Sequence, residues 1–165
     1  MKKFLILVLL LAPMSLCAQK FGHFNSADII QAMPEYATAQ TELQALGKQY
    51  EDELTRMQDE FKTKYEEYQK NEATYPEATK QRRQQELTEL NNRLEQFYQT
   101  SQQDLQKQQQ DKMALITEKV SKAIKEVGDA GGYVYIMDVT SGIPYINESI
   151  STDVTDQVKT KLGIK

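Results

Sequence analysis

Residues 43–68 read LQALGKQYEDELTRMQDEFKTKYEEY, and this stretch decides the fold class. Its apolar side chains recur at an average interval of about 3.6 residues, which is the period of an α-helix. Because the interval is kept through the whole stretch, a long amphipathic helix is predicted here rather than disordered chain. The stripe consists of Leu43, Leu46, Tyr50, Leu54, Met57, Phe61, Tyr65 and Tyr68.

A second apolar stripe follows and predicts a second helix. Between the stripes, Pro76 is tolerable only in the first turn of a helix, so the chain is predicted to reverse near Tyr75. The result is a long antiparallel coiled-coil hairpin over about residues 35–127, in which paired positions have numbers that sum to roughly 152. The second stripe comprises Leu87, Leu90, Leu94, Phe97, Ser101, Leu105, Ile116, Val120, Ile124 and Val127, with a polar gap at Gln106–Gln110.

The two ends of the chain predict a small β body. Short aromatic or β-branched runs give strands within residues 20–25 and 133–146, the latter as a meander of Tyr133–Met137 and Ile143–Ile146. A terminal amphipathic helix is predicted over about residues 153–162. The fold class is therefore α+β, mostly α. Since so few strands cannot bury enough surface alone, we expect several copies to complete one barrel.

The N-terminus predicts export. Two lysines precede the apolar run Phe4–Ala12, as in a secretory signal peptide over residues 1–18, and the run is shorter than the about 20 residues that span a membrane. Cys17 follows a bulky leucine, and this disfavours attachment of a lipid to the cysteine. The signal peptide is therefore expected to be removed by ordinary cleavage near Ala18. Residues 19–165 then form one exported domain, and the expected location is the periplasm.

Composition argues against several functions. Without Lys2 and Lys3, 18 basic side chains face 24 acidic ones, so the formal charge is about −6 and general nucleic-acid affinity is not expected. His23 is the only histidine and Cys17 the only cysteine. No nucleophile motif, metal-binding spacing or nucleotide-binding loop occurs, so we expect no enzyme and no metal or cofactor. His23 is interpreted as a packed strand residue rather than a pH switch.

Charge and aromatic side chains suggest where a partner could bind the hairpin. Glu35–Glu60 is strongly acidic, whereas Phe61–Arg83 is mildly basic. Basic tips could attract acidic partners or touch an anionic membrane surface weakly, although solvated coiled-coil flanks explain the same charges. Most aromatic rings lie on the stripe and are expected to be core. The candidate contact residues are Tyr75, Tyr98, Lys80, Arg82 and Arg83.

Several short motifs resemble the Skp/OmpH family of periplasmic chaperones. Phe21–Ser26 and Met33–Tyr36 are similar to the family's first strand and long-helix start, and Val134–Asp138 and Pro144–Asn147 to its C-terminal end. The resemblance implies a homotrimer with a small β-barrel body and helical arms around a cavity. It also implies ATP-independent holding of unfolded outer-membrane β-barrel proteins. The best-known members are basic, so no lipopolysaccharide site is carried over to this acidic chain.

Two functions of different kinds remain at this point. The first is a holdase chaperone, whose partners are unfolded outer-membrane proteins and further copies of itself. The alternative is a structural coiled-coil spacer or tether of the cell envelope that binds no unfolded chains. The polar gap at Gln106–Gln110 favours flexible arms and hence the first function.

Overall fold

The structure, a computed structural model, describes residues 19–164; the predicted signal peptide over residues 1–18 lies outside them. The described chain is mainly helical with one small sheet, which confirms the α+β class. Its elements in chain order are β1 (Lys20–Phe24), α1 (Ser26–Ala32), α2 (Pro34–Asn71), α3 (Glu77–Gly131), β2 (Tyr133–Asp138), β3 (Ser151–Asp153) and α4 (Thr155–Lys161).

Helices α2 and α3 form the predicted hairpin. They contain 38 and 55 residues, which corresponds to roughly 57 and 82 Å at about 1.5 Å per residue. Pro34 stands in the first turn of α2, where its missing N–H costs no hydrogen bond. Helix α3 continues past the predicted end to Gly131. It ends before Gly132, whose φ of 66° is a left-handed conformation that glycine adopts without strain.

The reversal between the helices is short and well bonded. One turn of 3-10 helix, Glu72–Thr74, follows α2, and Tyr75 is extended, as the residue before a proline prefers to be. The Thr74 hydroxyl donates to the Asn71 carbonyl at 2.8 Å, and the Tyr75 amide donates to the same carbonyl at 3.2 Å. The chain therefore reverses at the predicted place.

Contacts between the helices confirm the predicted register. Gln84 donates to the Tyr68 hydroxyl at 2.8 Å, and these two residue numbers sum to 152. Lys112 pairs with Glu42, for which the sum is 154. The register is set by the seam, because sliding one helix along the other would move apolar side chains off the stripe.

The described chain divides into two compact units, residues 19–29 with 119–164, and residues 30–118. In the second unit few side chains are buried, because two helices offer each other only one narrow stripe. Leu94, placed in the predicted seam, is half-buried, whereas Leu90 is only 4% exposed. The buried side chains of this unit are Met33, Ala39, Tyr68, Leu90, Ser101 and Ile116.

The first unit contains a parallel sheet in the order β2–β1–β3. The prediction of a strand at Ile143–Ile146 is wrong, and with it the meander. Pro144 has no N–H to give to a neighbouring strand, and the Asn147 side chain accepts the Ser149 amide at 3.0 Å to form a turn. The third strand is Ser151–Asp153, which pairs with β1.

Helices close the core of the first unit. Ile29 of α1 and Val154 and Val158 at α4 are fully buried. Helix α4 begins at Thr155, two residues after the predicted start. Lys161 of α4 pairs with Glu126 of α3 at 2.9 Å. None of the helices within residues 19–164 has the length and apolar character needed to cross a membrane.

Candidate functional site on the helical hairpin

The tip of the hairpin carries a cluster of charged side chains, Lys64, Glu67, Arg83 and Glu86, which we call the tip cluster. The Lys64 ammonium binds the Glu86 carboxylate across the hairpin. Arg83 donates to the other oxygen of Glu86 at 3.0 Å and lies 3.6 Å from Glu67 on the opposite helix. The cluster therefore ties α2 to α3 near the reversal.

Electrostatics in the tip cluster favour the charged forms. Hydrogen bonds from Lys64 and then Arg83 hold the pKa of Glu86 below its usual value. The hydrogen bond to Glu86 and the charge of Glu67 raise the pKa of Arg83. Arg83, one of the predicted contact residues, thus bonds to Glu86 and pairs with Glu67 within the hairpin, while its Nε is buried without a hydrogen-bond partner.

Tyrosines pack beside the tip cluster. Tyr68 is only 8% exposed, and its hydroxyl donates to Glu72 at 3.0 Å while accepting from Gln84. Burial, and then the bond to Glu72, raise the pKa of Tyr68. The Tyr75 ring lies with its centroid 6.4 Å from that of Tyr68. Tyr75, a predicted contact residue, is therefore half-buried against the hairpin.

The other three predicted contact residues differ in exposure. Tyr98 is 52% exposed, Arg82 is exposed, and Lys80 is half-buried. By the hairpin register Tyr98 lies level with Leu54, far along α3 from the tip. The structure thus does not bring the five predicted contact residues together into one patch.

Sequence reasoning assigned Tyr65 to the seam, but the structure exposes much of it. Its ring is 44% exposed and stacks on Phe61 at a centroid distance of 6.0 Å. Tyr65 lies at the edge of the apolar stripe, and a two-helix seam is too narrow to cover every residue of the stripe. Its position in the sequence therefore already indicated that the ring would be partly exposed.

The middle of the hairpin holds a polar link. The Tyr50 hydroxyl donates to the Asp104 carboxylate at 2.7 Å, and the Phe97 ring meets the Tyr50 ring edge-on at 5.8 Å. The bond to Asp104, more than burial, raises the pKa of Tyr50. This link joins the two helices where the apolar seam is interrupted by Ser101.

An open groove lies on one side of the same region and was not recognised as a site from the sequence. It encloses about 400 Å³ and is lined by Leu43, Gln102, Gln103, Leu105, Gln106 and Gln109. The polar gap in the second stripe lies at this groove. In the sequence, the gap favours flexible arms and does not by itself indicate a binding surface. We call this feature the glutamine groove.

The sheet contributes further exposed apolar side chains. Strand β2 is an edge strand, and Val134, Tyr135 and Met137 on it are about half exposed. His23 is buried in β1 with Nδ1 2.8 Å from the Ser151 hydroxyl. Asp153 instead accepts the Thr155 amide at 2.8 Å, so these residues form strand and helix-cap contacts rather than a nucleophile–base–acid array.

Within the part of the chain that the structure describes, no three His, Cys, Asp or Glu side chains meet as a metal site would require. What remains is a long hairpin with a half-exposed seam and a small parallel sheet with an apolar edge. These features define an α+β protein whose candidate site is an extended binding surface rather than an enclosed pocket.

The chain belongs to the OmpH-like family, described as "Outer membrane protein (OmpH-like)", whose pattern matches residues 20–162. It is 27% identical over 152 residues to the chaperone protein Skp of Yersinia enterocolitica, covering 91% of this chain and 92% of that one. The fold resembles the crystal structure of an OmpH-like outer membrane chaperone from Caulobacter crescentus. That comparison gives a TM-score of 0.75 and 16% identity, over 87% of this chain and 83% of the other. The family is thus one of chaperones rather than enzymes.

Proposed function

We propose that the protein is an ATP-independent periplasmic holdase that binds unfolded outer-membrane proteins and prevents their aggregation. Family membership supports the general class. The observation that carries the specific activity is the half-exposed seam of the hairpin, where aromatic and leucine side chains border charged and amide groups. An unfolded chain can make many weak contacts along such a surface without entering a pocket.

Assembly of several copies raises the overall affinity for the client above what a single weak contact gives. Three copies joined through their sheets present three hairpins to one client, and weak contacts summed over linked sites give high avidity. The apolar edge of β2 supports this homotrimer, because an unpaired strand edge is stabilised by another chain. Holding by many weak contacts also needs no nucleotide, which fits the lack of a nucleotide-binding motif in the sequence.

The five predicted contact residues have separate roles in this mechanism. Tyr98 offers an amphipathic ring to the client. Lys80 and Arg82 steer acidic clients, or an anionic membrane surface, toward the tip. Tyr75 and Arg83 stabilise the tip and contact the client less.

The test is light scattering of a urea-unfolded outer-membrane β-barrel protein diluted into buffer without nucleotide. The parent protein is expected to suppress aggregation. A variant in which residues 61–91 are replaced by a short glycine-rich loop should remain an oligomer and lose this protection. The matched control replaces exposed Gln85 with Ala and keeps the full hairpin. Full protection by the shortened variant would instead favour an envelope spacer.

A further inference from the structure

Gly47 lies in the interior of α2, where glycine is unfavourable. A helix-interior glycine destabilises the helix relative to alanine, because its backbone loses more conformational freedom on folding. A Cβ added at Gly47 would meet nothing within 4 Å, so packing within the hairpin does not require this residue. A glycine with open space above it lets another backbone approach closely.

Gly47 lies near the glutamine groove, although it is not one of the residues that line it. Gly47 is four residues after Leu43, so the two share one face of α2. By the hairpin register it lies opposite Leu105, another lining residue. Leu43 and Leu105 are half-buried and form an apolar floor, while the four glutamines are exposed at its border.

The lining of the groove is uncharged in a chain in which 27% of residues are charged. Two charged side chains beside the lining bond to other residues: Asp104 accepts from Tyr50, and Lys107 pairs with Asp111 at 2.6 Å. Among residues 19–164, no side-chain hydrogen bond holds the carboxamides of Gln102, Gln103, Gln106 and Gln109. Each carboxamide therefore keeps donors and an acceptor available to a partner.

We propose that the glutamine groove binds an extended segment of the unfolded client through the client's backbone. A carboxamide offers both a donor and an acceptor, as a peptide group does, so glutamines can bond the N–H and C=O groups of any extended chain. The leucine floor takes client side chains of varied shape, and Gly47 admits the backbone. Recognition of this kind is independent of sequence and selects for chains whose backbone groups are still unpaired.

This inference rests on the proposed holdase function and names the surface that performs it. A folded client has its backbone groups bonded internally, so it loses affinity for the groove as it folds. Release is therefore coupled to folding without any input of energy.

The test compares two double variants of equal charge. Gln106→Glu with Gln109→Glu keeps side-chain size in the groove but removes the amide donors. Gln99→Glu with Gln110→Glu places the same charges at exposed positions of α3 away from the groove lining. The probe is a urea-unfolded outer-membrane β-barrel protein, and the dissociation constant is measured after dilution. The groove variant should bind about tenfold more weakly, because two hydrogen bonds to the client are lost, and the control should bind like the parent.

A second variant separates binding from unfolding. Gly47→Leu raises helix propensity, so the hairpin should unfold at a higher temperature, while the larger side chain hinders the approach of the client backbone beside the groove and lowers affinity. If the Gln106→Glu with Gln109→Glu variant and the Gly47→Leu variant both bind the client with the affinity of the parent, the inference is overturned and the holdase function still stands. If the parent itself fails to bind the unfolded probe, the holdase function and this inference both fall.

Discussion

The Tyr50 hydroxyl of α2 donates a 2.7 Å hydrogen bond to the Asp104 carboxylate of α3, midway along the hairpin. Near it, Ser101 is buried in the seam and bonds back to the Tyr98 carbonyl at 3.0 Å instead of packing as an apolar residue would. A polar link thus takes over where apolar packing is weakest. It fixes the register there because the hydroxyl can reach the carboxylate in only one alignment of the helices.

Tyr50→Phe should weaken the middle of the hairpin. It removes the donor but keeps the ring against Phe97, so the expected loss is about 1 kcal/mol from the hydrogen bond alone. Hydrogen exchange of amides near residues 50 and 104 measures this loss. Tyr98→Phe, at a ring that is 52% exposed, is the matched control and should leave exchange unchanged.

Acid should loosen the tip cluster. Lys64 and Arg83 lower the pKa of Glu86 in the folded chain, so its contribution is complete above the ordinary glutamate pKa of about 4.3 and is lost as the pH falls through the lowered value. Glu86→Gln should therefore be less stable than the parent at pH 7, and the difference should shrink as the pH falls below about 4.3. Thermal unfolding at several pH values measures it, with exposed Glu89→Gln as the control; a difference independent of pH would contradict the assignment.

Leu90→Ala should destabilise the hairpin more than Leu94→Ala. Leu90 is 4% exposed, so the change should cost about 2–5 kcal/mol, whereas half-buried Leu94 loses fewer contacts. Hydrogen exchange should show the loss within residues 30–118 and spare the sheet. Equal loss of exchange protection in both compact units would contradict the expectation that the two units unfold separately.

Charge reversals at the tip should separate steering from stability. Lys80→Glu with Arg82→Glu should slow capture of an unfolded client and lower its salt dependence, because charges in contact with solvent mainly steer encounter. Thermal stability should stay unchanged. Arg83→Glu, by contrast, places a third carboxylate beside Glu67 and Glu86 and should lower the unfolding temperature of the hairpin. Stopped-flow capture and thermal unfolding distinguish the two effects.

The exposed edge of the sheet should control assembly. The parent protein is expected to have the mass of three copies by light scattering at micromolar concentration. Met137→Lys places a charge on the edge strand β2, where Met137 is 49% exposed, and should shift the mass toward one copy. Tyr145→Lys changes a 76% exposed residue outside the strands and should leave the mass unchanged. A parent of monomer mass would refute the homotrimer.

The sequence by itself determined the hairpin. A stripe with the helical period from Leu43 to Tyr68, a second from Leu87 onward and Pro76 between them are local signals, and they predicted both helices, the reversal and the register. This works because helix hydrogen bonds join residues four apart, so the information lies in the same stretch that folds. The seam then aligns itself, since only one register covers both stripes.

Tertiary structure decided the sheet and the surface of the hairpin. Pro144 is a local signal against a strand at Ile143–Ile146, but parallel strands take partners far away in sequence, so nothing local to Ser151–Asp153 reveals that it pairs with β1. Likewise, Arg83 and Arg82 are neighbours with the same side chain, but only Arg83 reaches Glu67 across the hairpin. A polar side chain faces solvent or a partner according to its angle around the helix and to the residue that lies opposite it on the other helix. Both depend on how the two helices pack, so they are known only from the folded structure.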